Sequence, residues 1–224
     1  MINRIKTIAK EQGHVIYTEP YRLNIWGFRA NTEKPNVFDD ELHVFTNISQ
    51  TKIAKWAYLV FKITTDPGTY WLKNPMNPQG TAILKAGQYR DTYRIDRHRN
   101  KYYALCQRLA KVTVIRDYDR DAVLDFNNGK EQTGMFGINI HRARKAGDTL
   151  SVDKYSAGCQ VFKNAQDFDF FMKLCEVHRK LYGNKFTYTL VDKRMEFRKT
   201  LKKITISSVL ISLLLGGFYL VSND

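Results

Sequence analysis

Residues 137–162 read GINIHRARKAGDTLSVDKYSAGCQVF, and the fold and chemistry of the chain turn on this stretch. Apolar residues alternate through 137–141 (GINIH), the signature of a half-buried strand, which aims His141 at a definite face. Residues 142–154 are polar and carry the turn formers Gly147 and Asp148, so they form a loop that leads the chain back. A small-residue turn, Ser156-Ala157-Gly158, stands in front of Cys159, and 159–162 (CQVF) is strand-like again. Two strands joined by a loop bring Cys159 beside His141. Nucleophilic catalysis needs that pair: the thiolate attacks, and the imidazole takes the proton and lowers the thiol pKa. The same residues also suit plain core packing, because free cysteine is among the most buried residue types.

His141 is followed by 14 residues and then by Ser156, Ala157, Gly158 and Cys159. This spacing resembles the signature of the L,D-transpeptidases, the penicillin-insensitive enzymes that cross-link peptidoglycan. In that family a His precedes, by a similar interval, Ser or Thr, His, Gly, Cys, a hydrophobic residue, and Asn or Arg. Ala157 replaces the family's second His, Gln160 the hydrophobic residue, and Val161 the polar residue after it. Arg142 stands where Gly often follows the His. The resemblance implies Cys159 as nucleophile, His141 as base, and Ser156 and Gly158 as elbow residues, with no cofactor and no catalytic metal. It is specific over 137–162, while the wider block from Tyr70 is similar to wall-active proteins of bacterial viruses.

The implied fold is mainly β, of the α+β class. A transpeptidase-like β-sandwich core spans 70–192 with a flanking helix, and a β-rich region, 1–69, packs on it. The implied substrate is the peptide stem of peptidoglycan. Cys159 attacks the carbonyl of the third stem residue and expels the terminal D-amino acid, while N–H groups around Ala157 to Cys159 hold the oxyanion. An amine acceptor then gives a cross-link, whereas water gives a peptidase. Cys106 and Cys175 lie in apolar runs without a glycine elbow and read as inert core thiols.

A net charge of +14 suits anionic partners: nucleic acid, an acidic membrane surface or wall polymers. No helix-turn-helix, zinc-finger or RNA-binding sheet spacing stands in the sequence, which sets nucleic acid aside. Three unevenly spaced cysteines give no disulfide framework. Much of the basic excess is local: 193–203 (KRMEFRKTLKK) holds six basic residues against Glu196. It abuts 204–221, an 18-residue run without charge. At about 1.5 Å per residue such a run spans roughly 27 Å, enough for a hydrocarbon core. We expect a basic juxtamembrane link and a single-pass C-terminal membrane anchor, a buried core helix being the alternative.

The basic flank favours a cytoplasmic domain, whereas peptidoglycan lies across the membrane. Residues 1–10 place Ile at 2, 5 and 8 without a continuous apolar stretch, so they read as a helix packed on the domain and not as a secretory signal. Together these features suggest a viral protein, held in a virion membrane or released at lysis. The alternative is a non-enzymatic membrane-anchored structural or wall-binding protein with a degenerate transpeptidase fold. Stem chemistry, acceptor and oligomeric state stay open.

Elsewhere, 21–28, 42–45, 57–63, 102–107, 111–115 and 186–191 carry strand patterns. Residues 70–80, with Pro75, Pro78 and Gly80, either line a substrate groove or form a rigid connector over the core. His14 and His43 have no partner motif that would make them metal ligands. Residues 116–125 (RDYDRDAVLD) place Asp117, Asp119 and Asp121 at calcium-loop offsets. Ala122 replaces the turn glycine and Asn128 the bidentate Glu, so a solvated acidic loop paired to arginines competes with a calcium site. Phe168, Phe171, Met172, Cys175 and Tyr182 share one helical face, with Asn164 or Asp167 as cap and Gly183 as stop.

Overall fold

The chain runs α1 (Ile2–Gln12), β1 (Asn24–Arg29), β2 (Asp40–Asn47), β3 (Trp56–Thr64), α2 (Thr69–Lys73), β4 (Thr81–Leu84), β5 (Gly87–His98), β6 (Tyr102–Gln107), β7 (Val112–Asp117), β8 (Lys130–Gly134), β9 (Ile140–Arg142), β10 (Gln160–Phe162), α3 (Ala165–Tyr182) and β11 (Phe186–Asp192). This computed structural model describes residues 1–51, 53–126 and 129–194. The fold is mainly β with a few helices, the expected α+β class. Its strands do not stack as the two sheets of a sandwich. Eight of them close into a barrel, β1-β11-β5-β6-β9-β10-β3-β2, beside a three-stranded sheet, β4-β7-β8. Closure comes from the first three strands. The β2–β3 hairpin pairs continuously from Asp40–Ile63 to Asn47–Trp56, meets β10 through β3 and reaches β11 through β1. Residues on both sides of position 70 therefore build one barrel.

Every residue of β1 is buried because both of its faces are covered. Ile25 joins the main core. Trp26 and Phe28 point the other way, with Phe45 and Val191, under Ile5, Ile8 and Ala9 of α1. The Ile stripe at 5 and 8 thus packs as expected, each side chain contributing about 1.5–3 kcal/mol of burial. Gly13, at φ 67°, ends α1 in the left-handed conformation. Within the core, Gly27 leaves room for the Tyr188 hydroxyl where a Cβ would stand, and that hydroxyl donates to Gln160 Oε1 at 2.8 Å.

Helix α3 lays Phe168, Phe171 and Cys175 into the same core. It starts where Asn164 accepts the Asp167 N–H and stops at Gly183. A buried charged group pins the ends of β1, β2 and β3. The Arg29 guanidinium lies 2.8 Å from Asp66, and Asp40 accepts N–H bonds from Ala30 and Thr65, each 2.6 Å long.

The chain divides into two compact units, Met1–Val191 and Asp192–Asp224. In the second, the Asp192 carboxylate accepts from the main chain and the guanidinium of Arg194. The expected anchor, 204–221, and the link before it from residue 195 onward lie outside the described residues. Among the described residues no helix is long and apolar enough to cross a membrane.

Candidate active site

Strands β9 and β10 run parallel, with Ile140 opposite Gln160 and His141 opposite Val161. That register sets Cys159 level with Asn139, whose main-chain N–H donates to the Cys159 Sγ at 3.4 Å. The thiol itself donates to the Gly137 carbonyl at 3.5 Å. Ser156 and Gly158 shape the turn in front of it. The fully buried Ser156 hydroxyl donates to the Cys159 carbonyl at 2.8 Å and accepts the Gly158 N–H at 3.2 Å. Gly158 sits at φ +116°, and a Cβ there would collide with the Ala82 carbonyl oxygen. Only glycine fits both demands.

On β9, His141 Nδ1–H donates to the Arg142 carbonyl at 2.8 Å. Its Nε2 is therefore the unprotonated nitrogen, the tautomer a base requires. The His98 ring, from β5, stacks on His141 at 4.2 Å between centroids and 23° between planes. Asn139 holds this pair: its amide N–H donates to His98 Nδ1 at 3.0 Å, and its Oδ1 accepts the Gln107 N–H at 2.9 Å. Gln107 in turn accepts the N–H groups of Phe136 and Ile138, both at 3.1 Å. Those amides are drawn out of any ladder, which is why the strand expected over 137–141 is confined to Ile140–Arg142.

The electrostatics correct one expectation. Burial pushes the Cys159 thiol up to about 11, although the Asn139 N–H and Arg99 pull it down. The residue keeps some exposed surface, yet its sulfur is enclosed by the turn, and that enclosure decides the direction. Burial, reinforced by His98, pushes His141 down to about 3, against the pull of its bond to the Arg142 carbonyl. Among the described residues no hydrogen bond joins the Cys159 Sγ to the His141 ring. The imidazole therefore does not lower the thiol pKa, and the resting pair is neutral thiol with neutral imidazole. Cys106 and Cys175 are buried and raised as well. Cys159 differs from them by its partial exposure, its N–H donor and its glycine turn.

A second correction concerns the oxyanion donors. The Gly158 N–H is taken by Ser156. Those of Ala157 and Cys159 make no hydrogen bond among the described residues and remain the two available donors.

Two cavities matter here, one beside the turn and one against α3. One, of about 240 Å³, is bounded by Ala157, Ile138, Phe136, Ala82, Met76 and Arg116. Arg116 lies over the Phe136 ring at 4.8 Å and bonds Gln132 and the Gly80 carbonyl. The other, of about 440 Å³, is bounded by Tyr102, Arg142, Phe168 and Met172. The 70–80 segment covers the core, the connector role expected of it, and also borders a cavity. It begins in α2, a helix absent from the sequence reading. Leu72 plugs a small core with Ile83 and Leu124, while Met76 lines the smaller cavity. The Gly68 N–H before α2 bonds the Ser156 carbonyl at 2.9 Å.

The structure thus puts Ser156, Gly158 and Cys159 in one turn and His141 on the neighbouring β9, opposite Val161. It adds His98, Asn139, Gln107 and Arg116, which the spacing did not single out. Asn139 carried a signal: a polar residue two positions before His141 in an alternating strand shares its face. His98 carried none. His43, bonded to Tyr58 and Glu41, and His14, edge-on to Trp26, are packing residues. Comparison of the chain with protein-family models, curated proteins and solved structures finds no match.

Proposed function

We propose that the chain is a cysteine-nucleophile enzyme of the L,D-transpeptidase or L,D-peptidase type, acting on the peptide stems of peptidoglycan. One observation supports the reading: β9, which carries His141, runs parallel to β10, whose first residue follows Cys159 and its Ser156–Gly158 turn. In this mechanism the thiol proton passes to His141 Nε2 as sulfur attacks the stem carbonyl. The Ala157 and Cys159 N–H groups stabilise the oxyanion, and His141 returns the proton to the departing D-amino acid. An amine or water then releases the acyl group. The smaller cavity suits the donor stem, because Arg116 offers a buried cation to a stem carboxylate. The transpeptidase-like core and the 204–221 membrane anchor, in a cell envelope or virion membrane, belong to this proposal. The anchor rests on the uncharged run and its basic flank.

A second reading, a non-enzymatic membrane-anchored structural or wall-binding protein, is favoured by the raised thiol and lowered imidazole. Incubating the full-length protein in mild detergent with defined tetrapeptide muropeptides, and weighing the products, separates the two. Loss of the terminal D-amino acid, abolished by Cys159→Ser and by His141→Ala, is the expected result. Unchanged muropeptides that nevertheless co-sediment with the protein would establish the binding role instead.

A further inference from the structure

We propose that the loop leaving β7 is a calcium site, in which Asp117, Asp119 and Asp125 supply carboxylate oxygens to one divalent cation. Each of the three places an oxygen within 4.8 Å of the others. A cation with oxygens at about 2.3–2.6 Å bridges that distance.

The second observation is the state of Asp117. Its side chain is fully buried at the end of β7. One oxygen, Oδ2, accepts the Asp125 N–H at 3.0 Å. The other, Oδ1, has no hydrogen-bond partner among the described residues, and a buried carboxylate oxygen without a donor is costly. Asp119 and Asp125 each bring a further carboxylate oxygen within 4.8 Å of an Asp117 oxygen, so like charges crowd the loop. A dication removes that mutual repulsion.

The competing arrangement, acidic residues paired to arginines, is not formed among the described residues. None of the four loop aspartates forms an ion pair among the described residues, and the nearby Arg116 hydrogen-bonds Gln132 and Gly80 rather than an aspartate. The ligand set also departs from the offsets read in the sequence. Asp121 turns back to cap the Val123 N–H at 2.6 Å, and Asp125 takes its place, held by the buried Leu124 beside it.

Oxygen donors without sulfur or imidazole suit a hard cation and not zinc. An irregular loop suits calcium better than magnesium, which demands near-octahedral geometry. Water and main-chain oxygens complete the shell.

The test uses full-length protein in mild detergent, stripped with a chelator, and CaCl2 alone as the ligand. Terbium luminescence sensitised by the neighbouring Tyr118 gives a second readout. We expect one saturable site in the range of about 10⁻⁵ to 10⁻³ M, with magnesium at least tenfold weaker. Asp119→Asn, at an exposed position, should weaken calcium at least tenfold while leaving the circular dichroism spectrum unchanged, and Asp117→Asn should do the same or worse. No saturable binding up to about 10 mM, magnesium binding as tightly as calcium, or wild-type affinity in Asp119→Asn would overturn the site. None of these readouts depends on peptidoglycan chemistry.

Discussion

Cys159 and His141 are both uncharged at rest, and that bears on how the thiol reacts. A standing thiolate–imidazolium pair needs the thiol pKa below that of the imidazole, and burial orders them the other way, about 11 against about 3. In the proposed mechanism, deprotonation therefore accompanies attack and does not precede it. With an ordinary thiol near 8.5, iodoacetamide should label Cys159 at pH 7 some two to three orders of magnitude more slowly than free cysteine. The rate should climb about tenfold per pH unit until the thiol titrates, and the labelled peptide should be missing in Cys159→Ser. Cys106 and Cys175 should label only after denaturation. Rapid labelling that levels off near pH 6 would reveal an ion pair and refute this picture. Asn139 is the residue on which both partners depend, since its main chain reaches the sulfur and its side chain orients His98.

At the scale of elements, α3 depends on its first turn. Asn164 accepts the Asp167 N–H at 2.9 Å, so Asn164→Ala should cost about 1 kcal/mol, read as a shift of the urea midpoint with an unchanged slope. No change would mean that packing of Phe168 and Phe171 alone fixes the helix. This cap was legible in the sequence, as were the Ile stripe of α1 and the alternating strands β2, β3, β6 and β11. Three strands were not, β4 among them, its four residues too few for an alternation to show. β5 intersperses Tyr93 and Ile95 with charged residues and carries Asp91 at φ 47°, and β8 (KEQTG) has no apolar residue to betray it. α2 is a single short turn ahead of Pro75. The site divides on the same principle. His141, Ser156, Gly158 and Cys159 lie within one short stretch whose spacing is local information. His98, Gln107 and Arg116 enter only through long-range pairing of β5, β6 and β7, to which no periodicity points. Barrel closure likewise rests on β1 lying beside β11, at opposite ends of the folded unit.

For the whole molecule, buried histidines set the response to acid. His98, His141 and His178 are pushed by burial from 6.5 to about 4, about 3 and about 4. His178 shows why: Nδ1 accepts the Leu23 N–H at 3.0 Å and Nε2–H donates to the Lys185 carbonyl at 3.2 Å, so no nitrogen is left for a second proton. The unfolded chain binds protons first, so this stability is complete above pH 6.5 and is lost as pH falls towards 4. Asp40 works in the opposite sense. Burial and Asp66 raise it to about 7, and its contribution declines as pH rises towards that value. With three histidines against it, the melting temperature should fall between pH 6.5 and 4, and His178→Gln should flatten the decline. A melting temperature that held steady or rose on acidification would contradict the sign.

The closed circuit of eight strands has one more implication. A barrel with every stave bonded on both sides offers no open row of amides and carbonyls to a foreign strand, so fibrillar growth has nowhere to nucleate on it. Among the described residues, such a template remains at the outer strands of the small sheet, β4 and β8. β4 has just four residues, all buried, and β8 just five, led by Lys130 and Glu131. Brevity and charge blunt both margins.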